Sequence, residues 1–192
     1  SLYAVPVQET SKVVARDGWV ISGGRDGAKD GEASRVRIWD LAEVGLQENE
    51  SAKLLEDLLR DSGFALEIGV SGMPSAFVAT WGSGKPVIGF LGEYDALPGL
   101  SQKKIPTKDP VKAGAPGHGC GHNLLGVAAA AAAIAVKNEL QASGMTGTVK
   151  YFGCPAEELL TGKAYMAKDG VFDDLDTAVT WHPGGIDRKS VV

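Results

Sequence analysis

All three histidines of the 192-residue chain fall in short segments that also carry cysteine, glutamate or strand-end polar residues. The densest is Gly117-His118-Gly119-Cys120-Gly121-His122. Thiolate and imidazole are good ligands for borderline-soft divalent metals. Interleaved glycines let the backbone fold tightly enough for Cys120 and His122 to face one ion. A helix starting behind them would favour the thiolate of Cys120. Two other readings stay open here. One is an anion-binding glycine loop, although His122 breaks the G-x-G-x-x-G fingerprint. The other is a structural turn around a buried cysteine. For His118, duty in the turn or behind a ligand weighs as much as ligation.

Glu157 and Glu158 follow Gly153-Cys154-Pro155-Ala156 at the end of an apolar run. Adjacent side chains generally diverge, so one could bind a metal while the other holds a water as general base. Against this stands a solvated carboxylate pair. His182 follows Thr177–Trp181 and precedes Pro183, a strand-end position open to ligation or to a structural role. Asp95, in Glu93-Tyr94-Asp95-Ala96-Leu97-Pro98, could orient a ligand or cap the turn before Pro98. Cys154 reads as core.

The elements that must position these groups follow from periodicity. Leu54, Leu55, Leu58 and Leu59 have helical spacing within Asn49–Ser62, and Gly63 offers a C-terminal cap. Ala65–Val70, Ala76–Trp81, Val87–Leu91, Thr148–Phe152 and Thr177–Trp181 read as strands, with Val87–Leu91 buried on both faces. Helices are expected over about Asn123–Gln141, with Asn123 as N-cap, and over Leu159–Lys168. Lys12–Ile21 could hold a short strand, and Ser22–Ser34 reads as a loop. The alternation predicts an α/β fold, a mostly parallel or mixed sheet with flanking helices. Ligands in such sheets bind beyond the carboxyl ends of the strands, where the polar segments above fall.

Composition narrows the function classes. The chain is 44% hydrophobic and 22% charged, which suits a domain with a real core and not a disordered chain. Its 26 glycines are roughly twice average usage. Net charge is −5, and the one basic cluster, Lys103, Lys104, Lys108 and Lys112, is diluted by Pro and Asp109. No nucleic-acid partner is expected. No membrane span is expected either, since the apolar run Leu124–Val136 is mostly alanine and short of ~18–20 residues. Two cysteines make no disulfide scaffold, so a reducing, cytoplasmic setting is the expectation.

The segments Gly92–Gln102 (GEYDALPGLSQ), Gly117–Gly126 (GHGCGHNLLG), Cys154–Glu158 (CPAEE), Gly170–Asp176 (GVFDDLD) and Thr180–Pro183 (TWHP) resemble the metal-dependent amidohydrolase and aminoacylase/carboxypeptidase superfamily. Within it they are most similar to the aminobenzoyl-glutamate hydrolase type. The resemblance runs over about 38–184 and leaves 1–37 unassigned and 185–192 as a non-matching tail. It implies a hydrolase with two divalent ions, manganese or zinc, that cleaves a small-molecule amide between an acyl or aroyl group and an amino acid. It implies Cys120, His122, Glu158 and His182 as metal ligands, Glu157 as general base and Asp95 as a supporting carboxylate.

In the family, an inserted lid and dimerisation domain follows this region, and a further histidine ligand comes after it. Neither is in these 192 residues. A full-length form is therefore expected to associate, as homo- or hetero-oligomer, through the lid, and this segment alone to be weakly active or inactive. No arginine lies in the motifs, so contacts to substrate carboxylates are expected elsewhere. The competing functions are a non-catalytic metal-binding fragment and a small-ligand-binding α/β module built on the glycine loop.

Overall fold

The computed structural model describes residues 37–103 and 105–183, together with the backbone of 13–14 and 20–21. The expected strand in Lys12–Ile21 is described only as two short segments, β1 (Val13–Val14) and β2 (Val20–Ile21), paired antiparallel. The Ser22–Ser34 loop and the 185–192 tail lie outside the described residues.

Helical residues 37–41 (α1) lead through a turn into α2 (Asn49–Asp61). Then come β3 (Ala65–Ile68), β4 (Phe77–Ser83), β5 (Val87–Gly92), α3 (His122–Ser143), β6 (Gly147–Gly153), α4 (Gly162–Lys168) and β7 (Thr177–Val179). The last five strands form one mixed sheet in the order β3-β4-β6-β5-β7. Strands β6, β5 and β7 run parallel, joined by helical crossovers, while β4 pairs antiparallel with both β3 and β6. The mixed α/β expectation is met.

Strand alternation divides the core. Phe77, Ala79, Val149 and Tyr151 face one side, where Leu55 and Leu59 of α2 and Ala129, Ala130 and Ala133 of α3 cover them. Val78 and Phe152 face the other side, packed with Cys154, Met73 and Met166. Cys154 is fully buried there, and burial pushes its thiol up to about 12. Helix α3 is long and apolar enough to cross a membrane on length and composition, yet here its alanines serve the sheet. Small side chains let it lie close. A Cβ on Gly126 would stand 2.6 Å from the Glu93 carbonyl oxygen, so glycine at 126 brings the start of α3 onto the end of β5.

Two helix ends differ from expectation. Helix α3 begins at His122, and Gly121 in the left-handed region (φ +77°) occupies the cap position. Asn123 is a buried first-turn residue rather than the N-cap. The expected Leu159–Lys168 helix is two pieces, a 3-10 turn Glu157–Leu159 and α4, separated by Leu160 at φ 55°. Periodicity does not register one left-handed residue, which redirects the axis.

Candidate metal centre

His122 lies at the centre, wholly buried. Starting α3 directly behind a left-handed glycine turns its ring toward the carboxyl ends of β5 and β6. Its Nδ1 lies 3.0 Å from Asp95 Oδ1 and 3.0 Å from the Asp95 carbonyl oxygen. Both neighbours are acceptors, so Nδ1–H donates to them. Nε2 then faces carboxylates, and it is a lone pair when the ring is neutral. Glu93 Oε2 is 3.1 Å away, Glu157 Oε2 3.6 Å and Glu158 Oε1 3.9 Å. His182 Nε2 lies 2.8 Å from Glu93 Oε2, and the two imidazoles meet edge to face.

The same region holds two overlapping donor groups whose atoms lie within 4.8 Å of one another. One is Cys120, His122 and His182; the other is Glu93, His122, Glu157 and His182. Among the described residues, Glu93 Oε2, His122 Nε2 and Glu158 Oε1 are buried with no partner beyond these imidazole–carboxylate contacts. Buried polar atoms are normally satisfied. Positive charge between these groups reconciles them, whether a proton on His122 Nε2 shared with Glu93 or a divalent ion facing the Nε2 lone pair. The donors, thiolate, imidazole and carboxylate, suit a borderline divalent ion. The residues present therefore fit a metal.

Electrostatics follow the same pattern. Burial opposes a charge on His122, but the hydrogen bonds to Asp95 and Glu93 and their negative charges outweigh it and raise its pKa to about 11. Burial likewise disfavours the Glu93 carboxylate, yet His122 and Lys163, whose Nζ contacts Glu93 Oε1, hold its pKa below the usual range. For Glu158, burial and the neighbouring carboxylates raise the pKa against the pull of His122. The Cys120 thiol is also raised, by partial burial and by Glu158 and Glu157, against the pull of His122. The thiolate preference expected from the helix start does not prevail against these.

Each residue singled out in the sequence can now be placed. Cys120, His122, His182 and Glu157 converge, and Glu158 joins them at 3.9 Å from His122 Nε2. The two adjacent glutamates do not diverge, because Ala156 at φ 53° and the 3-10 turn bring both to the same imidazole. Asp95 lies behind His122, and its second oxygen accepts the Glu158 N–H at 3.0 Å. His118 stands apart. Its Nε2–H donates to the Ile38 carbonyl at 2.8 Å, and burial lowers its pKa to about 4.

Three participants have no role assigned from sequence. Glu93 has a signal, its position two residues before Asp95 at a strand end, since alternate residues share a side. Lys163 has none, because a helix lysine is ordinarily solvated. Glu48 reads as routine acidic charge at a helix start, yet it is fully buried and its Oε1 accepts the Ala156 N–H at 2.7 Å.

A family model for peptidase family M20/M25/M40 matches residues 89–191, which include every residue of the cluster. The chain belongs to that family. It is 53% identical over 150 residues to one subunit of p-aminobenzoyl-glutamate hydrolase from Escherichia coli, a match covering 77% of this chain and 31% of that protein. It is 31% identical over 169 residues to human Xaa-Arg dipeptidase, covering 80% of this chain and 35% of that one. Among solved structures, a dinuclear metal-binding peptidase of the M20 family from Bacillus subtilis superposes with a TM-score of 0.63 at 23% identity. That match covers 80% of this chain and 44% of that protein and concerns the fold. The chain thus spans about a third of the length of these curated relatives.

Proposed function

We propose that the chain carries the metal-binding part of a hydrolase that cleaves the amide bond of an N-acyl or N-aroyl amino acid, of the aminobenzoyl-glutamate kind. The observation that carries this is the meeting of Cys120, His122, His182, Glu157 and Glu158 at the carboxyl end of a parallel strand pair, with buried donor atoms facing one another. The 53% identity to a hydrolase of p-aminobenzoyl-glutamate supports the substrate class. That relative is one subunit of its enzyme, which supports a second, different subunit as partner in the full-length form of this protein.

Cys120, His122, Glu158 and His182 would hold divalent ions, manganese or zinc. When bound, such ions polarise a carbonyl and lower the pKa of a water. Glu157, a quarter exposed beside the buried cluster, takes a proton from the attacking water and returns it to the leaving amine. Asp95 keeps His122 in the tautomer whose Nε2 is a lone pair, and it fixes Glu158 through the backbone. Lys163 balances the charge of Glu93, which spans His122 and His182. A groove of about 200 Å³ lined by Glu157, Leu160, Thr161, Gly162, Lys163 and Ala164 opens beside the general base and gives a substrate access to it.

The test uses the full-length enzyme with p-aminobenzoyl-glutamate after chelation and reloading with Mn²⁺ or Zn²⁺. Glu157→Ala should bind metal as the parent does and lose about 10²–10⁴-fold in kcat. Unchanged turnover removes Glu157 from the role, and an absence of metal-dependent hydrolysis of any N-acyl amino acid removes the reading.

A further inference from the structure

The turn that carries Glu157 and Glu158 begins at Ala156, which is fully buried and left-handed at φ 53°, ψ 40°. A residue with a Cβ does not hold this conformation without support. Two buried carboxylates supply it from either side of Glu157. Asp95 Oδ2 accepts the Glu158 N–H at 3.0 Å, and Glu48 Oε1 accepts the Ala156 N–H at 2.7 Å. Asp95 belongs to a site motif. Glu48 comes from 108 residues away, at the start of α2, and belongs to none.

The segment that carries Glu48 is itself tied down. The Glu43 carboxylate accepts the Glu50 and Ser51 N–H groups at 3.2 and 2.7 Å and so ties down the first turn of α2. The Glu43 carbonyl accepts the Ala96 N–H at 2.7 Å, next to Asp95. The Ile38 carbonyl accepts from His118 in the glycine loop. Gly45 lies so close to the turn that a Cβ there would stand 3.0 Å from Ala156 Cα. Residues 38–48 thus touch three of the segments that meet around His122, the loop after β5, the glycine loop and the turn at Ala156.

We propose that Glu48 is a positioning residue of the metal centre, holding through Ala156 the turn that aims Glu157 and Glu158 at His122. The proposal rests on the reading of this cluster as a metal centre. Removing the acceptor leaves the Ala156 N–H buried and unpaired and frees the left-handed turn to relax. The glutamate pair then swings away from His122. A glutamine at 48 keeps a carbonyl acceptor of the same reach.

The test is metal uptake by the full-length protein, read as Mn²⁺ affinity by calorimetry and as the absorption spectrum of bound Co²⁺. E48A should weaken Mn²⁺ binding about 10- to 100-fold, the usual cost of losing a group that supports a ligand, and shift the Co²⁺ spectrum. E48Q should keep both at the parent's values. L59A, which opens a cavity in the buried core contact of the same helix, should lose stability yet keep parental affinity and spectrum. Should E48A fail to fold, E48D replaces it, one methylene too short to reach Ala156. Parental affinity and spectrum in E48A or E48D overturn the proposal. So does an E48Q as impaired as E48A, or an L59A whose affinity falls in parallel with its stability. A parent that takes up no metal instead sinks the metal-centre reading, and the role of Glu48 with it.

Discussion

The two histidines of the cluster are held in opposite ways. His122 is wholly buried, its Nδ1 bonded twice to Asp95, at the start of a helix pressed onto β5. His182 is 41% exposed and follows β7, whose three residues are all exposed; its Nε2 lies 2.8 Å from Glu93 Oε2. The inner half of the site is preorganised by the core, and the outer half hangs on an edge strand by that contact. Groups fixed before a ligand arrives lose little freedom on binding it, so the inner half should dominate affinity.

Alanine at each histidine separates the two halves most sharply. H122A removes the shared member of both donor groups and leaves Glu93 and Asp95 buried without it. Metal affinity should fall by well over the ~100-fold that a supporting group costs. H182A should cost clearly less, because the inner donors stay in place. Mn²⁺ titrations of both variants measure this, and an equal loss would mean that the inner half is no better organised than the outer.

Packing beneath the inner half gives the next effect. G126A sets a Cβ against the Glu93 carbonyl oxygen at 2.6 Å, a backbone atom that cannot swing aside. Helix α3 must lift from β5, at about 1–3 kcal/mol of stability. Because His122 rides on α3, metal affinity should fall along with the midpoint in urea. A G126A protein with lower stability and unchanged affinity would uncouple the helix seat from the site.

This division also explains what could be read from residue order. Strands β5, β6 and β7 announce themselves by apolar runs, and their polar ends lie where an α/β sheet binds ligands, so Cys120, His122, Glu157, Glu158 and His182 could be gathered from sequence alone. The left-handed Ala156 and Leu160 could not, because alanine and leucine carry no local signal for that conformation and tertiary contacts impose it. Glu48 and Lys163 escaped for a related reason. Their roles depend on which distant segment packs against them, and a charged residue on a helix is ordinarily solvated. The general rule that adjacent side chains diverge failed at Glu157 and Glu158 because of that same unsignalled turn.

The outer half offers the smallest and most specific effect. Asp176 leads into β7, and its Oδ2 accepts the Val87 N–H at 2.7 Å while Oδ1 pairs with Lys85 at 3.0 Å. The backbone hydrogen bond first, and Lys85 second, lower its pKa below the ordinary carboxylate value. A carboxyl whose folded pKa is depressed stabilises above its unfolded value of ~3.9 and loses that contribution as pH falls through the folded value. D176N keeps an acceptor for Val87 but not the charge. Parent and variant should therefore differ slightly and constantly in melting temperature at neutral pH, and the gap should close as pH drops below about 4. Thermal melts from pH 7 to 3 read this directly. The gap should leave metal affinity at the His122 side unmoved, since the pairing of β7 with β5 stops at Phe90, short of Glu93. A D176N that weakened Mn²⁺ binding as much as H182A would show the edge strand, and not the core, to be what sets the site.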